Sequence, residues 1–363
     1  FAAFDPATAP VRTYTADAYR ISRTAFYPNE TNVNALSQCE TVFRLTHCLR
    51  QTQTLAFVSG LWPRRRRQLD ALLPALLLTE AHDAAVVQGQ RVGEFHAGHT
   101  MVSGPCSRAT LAAEMGKIRA AVESGLREVQ AGLPSAGRAR LFNAAEVALP
   151  FARVRGDARR GRGLIPVGGH LYAAGPFQPF ALGAAAPAPA EWSAVELPLK
   201  AGRWSLGLDA AGCVLLTRGG RTATVVPRDS KHGAFEPVTV TASRRGPLCR
   251  LEVLYRTPPA AGFQQVANLT VLLTADAPMA EFTVAYAPGR DFDARDKWSD
   301  KLTLEVAAGC GLRRLVRFNP NVYAETAEDR VASPCCLTAE TEAGPLSLLN
   351  EGAFLYEVDR GAG

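Results

Sequence analysis

The run Trp204-Ser205-Leu206-Gly207-Leu208, Asp209-Ala210-Ala211-Gly212, Cys213-Val214-Leu215-Leu216 decides the fold class. Two short apolar segments flank a group of turn-forming residues, which is the pattern of a β-hairpin. A second turn at Gly219-Gly220 leads straight into Thr222–Val226. Moving downstream, further strands are expected at Leu248–Tyr255, Val266–Thr274, Glu281–Ala287, Lys301–Val306, Leu312–Phe318 and Leu346–Asn350. Short strands this close together, with no long helix between them, argue for an antiparallel sandwich.

Moving upstream, the chain changes character near residue 135. Leu111, Met115, Ile118, Val122, Leu126 and Val129 recur every three or four residues, with Glu114, Lys117, Glu123, Arg127 and Glu128 on the other faces. That spacing predicts an amphipathic helix over 107–130, with Ser107 as its N-cap and Gly132 and Pro134 as its stop. Leu36, Cys39, Phe43 and His47 predict an earlier helix. Leu69, Leu72, Leu73, Leu76 and Leu77 predict another, kinked or begun late because of Pro74. The expected class is therefore α+β. A helical domain of three-helix type spans 1–135, a small β module with its linker spans 136–190, and a large, mainly antiparallel β-sandwich spans 191–363. The Ala/Pro stretch Gly183–Ala190 reads as that linker. No internal repeat is visible, which disfavours a solenoid or a propeller.

Composition excludes several classes of function. With 363 residues, 47% hydrophobic and 20% charged, the chain is long enough for two or three globular domains. No stretch reaches the roughly 20 apolar residues of a membrane-spanning helix. Net charge is +6, carried mostly by Arg. The run Arg64-Arg65-Arg66-Arg67 has no interleaved aromatics, so it reads as a solvated helix start and not as a nucleic-acid site. The eight cysteines are scattered and form no CxxC pair, so they read as small buried hydrophobes, not as zinc ligands or a disulfide framework. Unpaired cysteines lean toward a reducing compartment such as the cytoplasm. The sequons Asn29-Glu30-Thr31 and Asn268-Leu269-Thr270 do not by themselves establish secretion.

There is no dinucleotide fingerprint, no phosphate-binding loop and no nucleophile elbow. Among the histidines, His47 fits a satisfied core position, and His170 and His232 are isolated. Glu80-Ala81-His82-Asp83, followed by Glu94, His96 and His99, is richer in groups that zinc accepts. On composition alone this cluster reads as a polar loop between helices.

The surrounding phrases change that reading. Leu76-Leu77-Leu78-Thr79-Glu80-Ala81-His82-Asp83-Ala84 resembles the His-Asp helix end of glycoside hydrolase family 38, the α-mannosidases. Family members follow it with a long amphipathic helix, matched by Ser107–Gln130. A β module then opens on a phrase similar to Leu141-Phe142-Asn143 and closes on one like Ile165-Pro166-Val167-Gly168-Gly169-His170-Leu171-Tyr172. The first sandwich hairpin resembles Trp204–Leu216. Gly246-Pro247-Leu248, Ala280-Glu281-Phe282-Thr283-Val284 and Gly344-Pro345-Leu346-Ser347-Leu348-Leu349-Asn350 are similar to later phrases.

The resemblance covers roughly residues 30–356 and implies a galactose-mutarotase-like sandwich. It also implies retaining, zinc-dependent hydrolysis of α-mannosidic bonds in mannose-containing oligosaccharides. It makes His82 a zinc ligand and Asp83 a contact to substrate hydroxyls. The nucleophilic Asp and the remaining zinc ligands belong to an N-terminal catalytic domain that this sequence lacks. The chain alone is therefore expected to be a fragment, inactive and metal-free. Ala81 stands where many members have a second His, which implies a different sugar preference. His96 and His99 have no counterpart. Two competing readings remain. One is a non-catalytic carbohydrate-binding or structural sandwich with an aromatic groove built from Trp192, Trp204 and Trp298. The other is an aldose-epimerase-like site, which needs a His facing a carboxylate on the sheet.

Overall fold

A computed structural model describes residues 33–73, 76, 108–133, 141–144, 148–154, 163–187, 189, 191–231, 233–258, 264–275, 277, 279–287, 302–319, 322–333, 336–349 and 355–360. It is an α+β protein whose sheets are mostly antiparallel. Those of the described residues that fall within 42–81 and 108–309 form one compact unit, and those within 310–363 belong to a second.

Three helices are described: α1 (Val33–Val58), α2 (Trp62–Asp70) and α3 (Arg108–Ala131). None is long and apolar enough to cross a membrane. Of the stripe read from the sequence on α3, Ile118, Val122 and Val129 are buried among Leu45, Leu49, Leu55, Leu69 and Leu76, and Leu126 packs against them half-buried. Thr52 interrupts the apolar face of α1. Its hydroxyl donates to the Cys48 carbonyl at 2.8 Å, which satisfies it inside the core. Ser107 lies outside the described residues.

Two helical expectations need correction. The earlier helix extends to Val58, past the apolar stripe that ended at His47. The helix expected around Leu69 already begins at Trp62, because Pro63 in its first turn presets helical φ and gives up an N–H that has no partner there anyway. The arginine run consequently sits on α2. Arg65 pairs with Glu128 of α3 at 2.6 Å, Arg66 pairs with Asp70, and Arg64 and Arg67 are exposed. Pairs this accessible contribute at most about 1 kcal/mol each.

The small module contains β1 (Leu141–Phe142), β2 (Leu149–Val154), β3 (Leu164–Val167), β4 (His170–Phe177) and β5 (Leu182–Gly183). β1 pairs with β5, and Phe142 and Leu182 from this ribbon pack against the helical core. Asn143 is buried beside them. Its backbone N–H donates to Ala181 O at 3.1 Å and its side-chain amide donates to Phe177 O at 3.0 Å. β2, β4 and β3 form a three-stranded sheet in that order. Residues 184–187 and 189 lie in neither helix nor strand, whereas Gly183, with which the expected linker began, closes β5.

The sandwich follows as β6 (Ser193–Ala194), β7 (Leu199–Ala201), β8 (Trp204–Leu208), β9 (Val214–Arg218), β10 (Arg221–Asp229), β11 (Gly233–Ala234), β12 (Glu236–Arg245), β13 (Leu248–Arg256), β14 (Val266–Thr274), β15 (Glu281–Ala287) and β16 (Leu302–Ala307). One sheet runs β11-β10-β9-β8-β7 with β16 paired to β10, and the other runs β15-β14-β13-β12-β6. Leu206, Val214 and Val225 from the first sheet share a single core with Leu251, Val253, Tyr255, Leu269 and Val271 from the second. The alternation of side chains along each strand puts these residues on the inner faces. At one end the small module covers the outer face of the second sheet, where Phe151, Ile165, Val167 and Tyr172 pack on Leu248, Leu272 and Ala277.

The second unit contains β17 (Leu312–Asn319), β18 (Val322–Glu325), β19 (Arg330–Ala332), β20 (Cys336–Thr341), β21 (Gly344–Leu349) and β22 (Leu355–Glu357). β18-β17-β20-β21 form a four-stranded sheet and β19 pairs with β22. Leu315, Val331 and Leu337 make its small core.

One turn of the sandwich is tightly constrained. Gly202, between β7 and β8, has φ +57°, and a Cβ there would lie 2.5 Å from the Ala275 carbonyl oxygen. Gly202→Ala therefore combines an unfavourable backbone conformation with a clash against main chain that cannot move aside. The expected loss is about 3 kcal/mol, read from the shift in urea midpoint. Gly219→Ala is the control. Its φ is +58°, but nothing lies within 4 Å of the new Cβ. Only the backbone cost of about 1–2 kcal/mol should remain. Equal losses in the two variants would show that the close approach to Ala275 is unimportant.

Candidate functional site

The helical segment that leads to the His-Asp pair is described as far as Leu76, which is fully buried in the core with Leu45, Leu49 and Val122. Glu80, His82, Asp83, Glu94, His96, His99, His232 and Trp298 lie outside the described residues. Among the described residues no group of three or more His, Cys, Asp or Glu could hold a metal ion. His47 is half-buried on α1 between the core residues Leu45 and Leu49, as the sequence reading expected. His170 is exposed, opposite Val167 at the β3–β4 turn. Of the cysteines, Cys48, Cys213, Cys249, Cys310 and Cys336 are free; Cys249 and Cys336 are buried. Burial pushes the Cys249 thiol up, so it stays protonated and unreactive.

The two described tryptophans of the proposed aromatic groove serve the structure. Trp204 is buried, and its indole N–H donates to Ala277 O at 2.8 Å. Arg218 stacks over its ring at 5.1 Å. Trp192 lies under the Arg250 guanidinium, whose carbon is 4.1 Å from the ring centroid. Arg250 is itself held by Glu252 at 3.3 Å and by Ser243 Oγ at 3.1 Å. Neither indole offers an open face for a sugar to stack on.

One contact between ionisable groups of the small module and the sandwich is Tyr172 with Glu281, which sequence reading did not single out. The two lie on β4 and β15, and Tyr172 Oη donates to Glu281 Oε1 at 2.5 Å. Burial, and then the carboxylate beside it, pushes the Tyr172 hydroxyl well above its ordinary value. It is thus a permanent neutral donor, inaccessible to substrate, and it acts as a latch between the module and the sheet. Tyr172→Phe leaves the carboxylate without this donor and should cost about 2 kcal/mol in urea unfolding. A change under about 0.5 kcal/mol would mean that water replaces the phenol without penalty.

The chain matches no family model and no curated protein.

Proposed function

We propose that this chain is the middle and C-terminal part of a retaining, zinc-dependent α-mannosidase of glycoside hydrolase family 38, with a galactose-mutarotase-like sandwich. One observation carries the reading: the family-like phrases fall, in order, on a matching succession of elements. The long amphipathic helix is α3, and Leu141-Phe142-Asn143 is the β1 ribbon with its buried amide. Ile165–Tyr172 is the β3–β4 hairpin, and Trp204–Leu216 is the β8–β9 hairpin. Ala280–Val284 enters β15, and Gly344–Leu349 is β21.

In this reading the donor set suits zinc, which takes imidazole nitrogen and carboxylate oxygen readily. When bound, zinc would act there as a Lewis acid toward the substrate's hydroxyls. His82 contributes a neutral imidazole to that site. Asp83 accepts hydrogen bonds from the sugar hydroxyls and fixes the orientation of the ring. A carboxylate of the catalytic domain attacks the anomeric carbon, and a second carboxyl group first protonates the leaving oxygen and then deprotonates water.

The test uses the protein together with its catalytic domain and an aryl α-mannoside. The expected result is release of the aryl alcohol, loss of activity on chelation, and recovery with zinc. Failure to hydrolyse α-mannosides and mannose-containing oligosaccharides would overturn the reading.

A further inference from the structure

We propose that Asn268 is an N-glycan acceptor and that its glycan stands on the open part of the outer face of the β12–β15 sheet. The inference is independent of the proposed hydrolase activity. Asn268-Leu269-Thr270 satisfies the acceptor sequence. Its position in the fold is unlike that of a chance match. β14 is a central strand, paired along its length with β13 on one side and β15 on the other. Of its nine residues, Asn268 alone is exposed, and the rest are buried or half-buried. Leu269, the next residue, is fully buried in the core.

The space around Asn268 suits a first sugar. Its cross-strand neighbours on the same face are Leu254 of β13 and Ala285 of β15. Leu254 is half-buried and Ala285 exposed, so they give the amide a small apolar floor, with the charged Glu252 and Arg256 of β13 next along the same face. The apolar face of an N-acetylhexosamine ring can rest on that floor. The small module covers the other end of this sheet, around Leu248 and Leu272, and leaves the Asn268 end clear.

The chemistry requires a polyprenyl-diphosphate-linked oligosaccharide in a secretory lumen. The Asn268 amide nitrogen bonds to C1 of the first sugar, and the C1–oxygen bond to the diphosphate breaks. The lipid diphosphate leaves, and the amide nitrogen loses one proton. Thr270 is only 8% exposed once folded, so its hydroxyl is available for recognition in the extended chain before the sheet closes. Cys249 and Cys336 are buried and Cys48, Cys213 and Cys310 half-buried, so no described thiol is fully exposed to such a lumen.

The full chain, given a cleavable leader, is translated with microsomes in an Asn29→Gln background to remove the other sequon. The expected result is a shift to lower mobility that peptide-N-glycosidase reverses. Asn268→Gln and Thr270→Ala should abolish the shift, whereas Thr270→Ser should retain it. Enzymatic release of the glycan in heavy-oxygen water should convert residue 268 to labelled aspartate in the mapped peptide. Occupancy is read on the translocated chain whether or not a variant folds. A translocated chain with an unmodified 268 peptide overturns the proposal.

Discussion

On the proposed mannosidase reading, His82→Ala in the protein joined to its catalytic domain is expected to release zinc and to lower kcat/KM on an aryl α-mannoside by about a thousandfold. A metal that polarises and positions substrate oxygens contributes several kcal/mol to transition-state stabilisation, and about 4 kcal/mol corresponds to a factor of roughly a thousand. Removing an imidazole from a four-ligand site loses much of that contribution, because a water in its place neither fixes the geometry nor matches the affinity. Metal content measured on the purified variant separates this cause from misfolding. Asp83→Asn should behave differently. The amide keeps the shape and one acceptor but loses the charge that strengthens the bonds to sugar hydroxyls. Zinc should stay bound while activity falls. Glu80→Gln, two residues before the pair, should leave both metal and activity in place. A His82→Ala variant with full zinc and full activity would remove this residue from the site.

The strands that the sequence made legible are the ones richest in apolar and β-branched residues. Val266–Thr274 and Glu281–Ala287 agree with expectation residue for residue, and Leu248–Tyr255 falls one residue short of β13. The Val- and Leu-rich sequence of β14 and the alternation in β13 leave little freedom in where the chain can pair. β12 was missed although it is ten residues long. Its sequence Glu-Pro-Val-Thr-Val-Thr-Ala-Ser-Arg-Arg opens with six exposed residues, and Pro237 adjoins a break in register. Val238, Val240 and Ala242 do alternate with Thr239, Thr241 and Ser243, but both valines are exposed and only Ala242 reaches the main core. β6 pairs with the strand only at Ser243 and Arg244, which leaves most of its length at an edge. α2 was placed too late for a related reason. Its first buried residue is Leu69, and the preceding turns are solvated arginines anchored by ion pairs instead of by packing.

The contacts made by single polar side chains were not legible at all. Tyr172 and Glu281 are 109 residues apart in sequence, and nothing local to either announces the other. The same holds for Trp192 and Arg250. Such pairs follow from how the modules dock, which no period in the sequence encodes. The His82-Asp83 pair was proposed only through the order of its neighbours, and it lies outside the described residues.

Stability is expected to collapse above pH 10, by about 3 kcal/mol for each pH unit. Tyr172 and Tyr255 are fully buried, and Tyr286 is half-buried. Each spends its hydroxyl on one acceptor: Glu281, the Gly212 carbonyl at 2.8 Å and the Thr303 carbonyl at 2.6 Å, respectively. Burial pushes all three above the ordinary tyrosine value of 10.0. The native state therefore keeps these protons where the unfolded chain releases them. Below pH 10 both states are protonated and the contribution is fully present. Above it the unfolded state binds fewer protons, so stability falls as pH rises. Each fully buried tyrosine contributes up to about 1.4 kcal/mol per unit, so Tyr172 and Tyr255 together give the slope stated, and half-buried Tyr286 steepens it further. Urea midpoints at half-unit intervals from pH 8 to 11 measure it.

Tyr255→Phe separates the two sides of this effect. At pH 8 the variant should be about 1–2 kcal/mol less stable, because the buried Gly212 carbonyl loses its donor. Its alkaline slope should be shallower by one tyrosine's share, so the two stability curves should converge about one pH unit above 10. Parallel curves would show that Tyr255 ionises in the folded protein, contrary to its burial between the sheets.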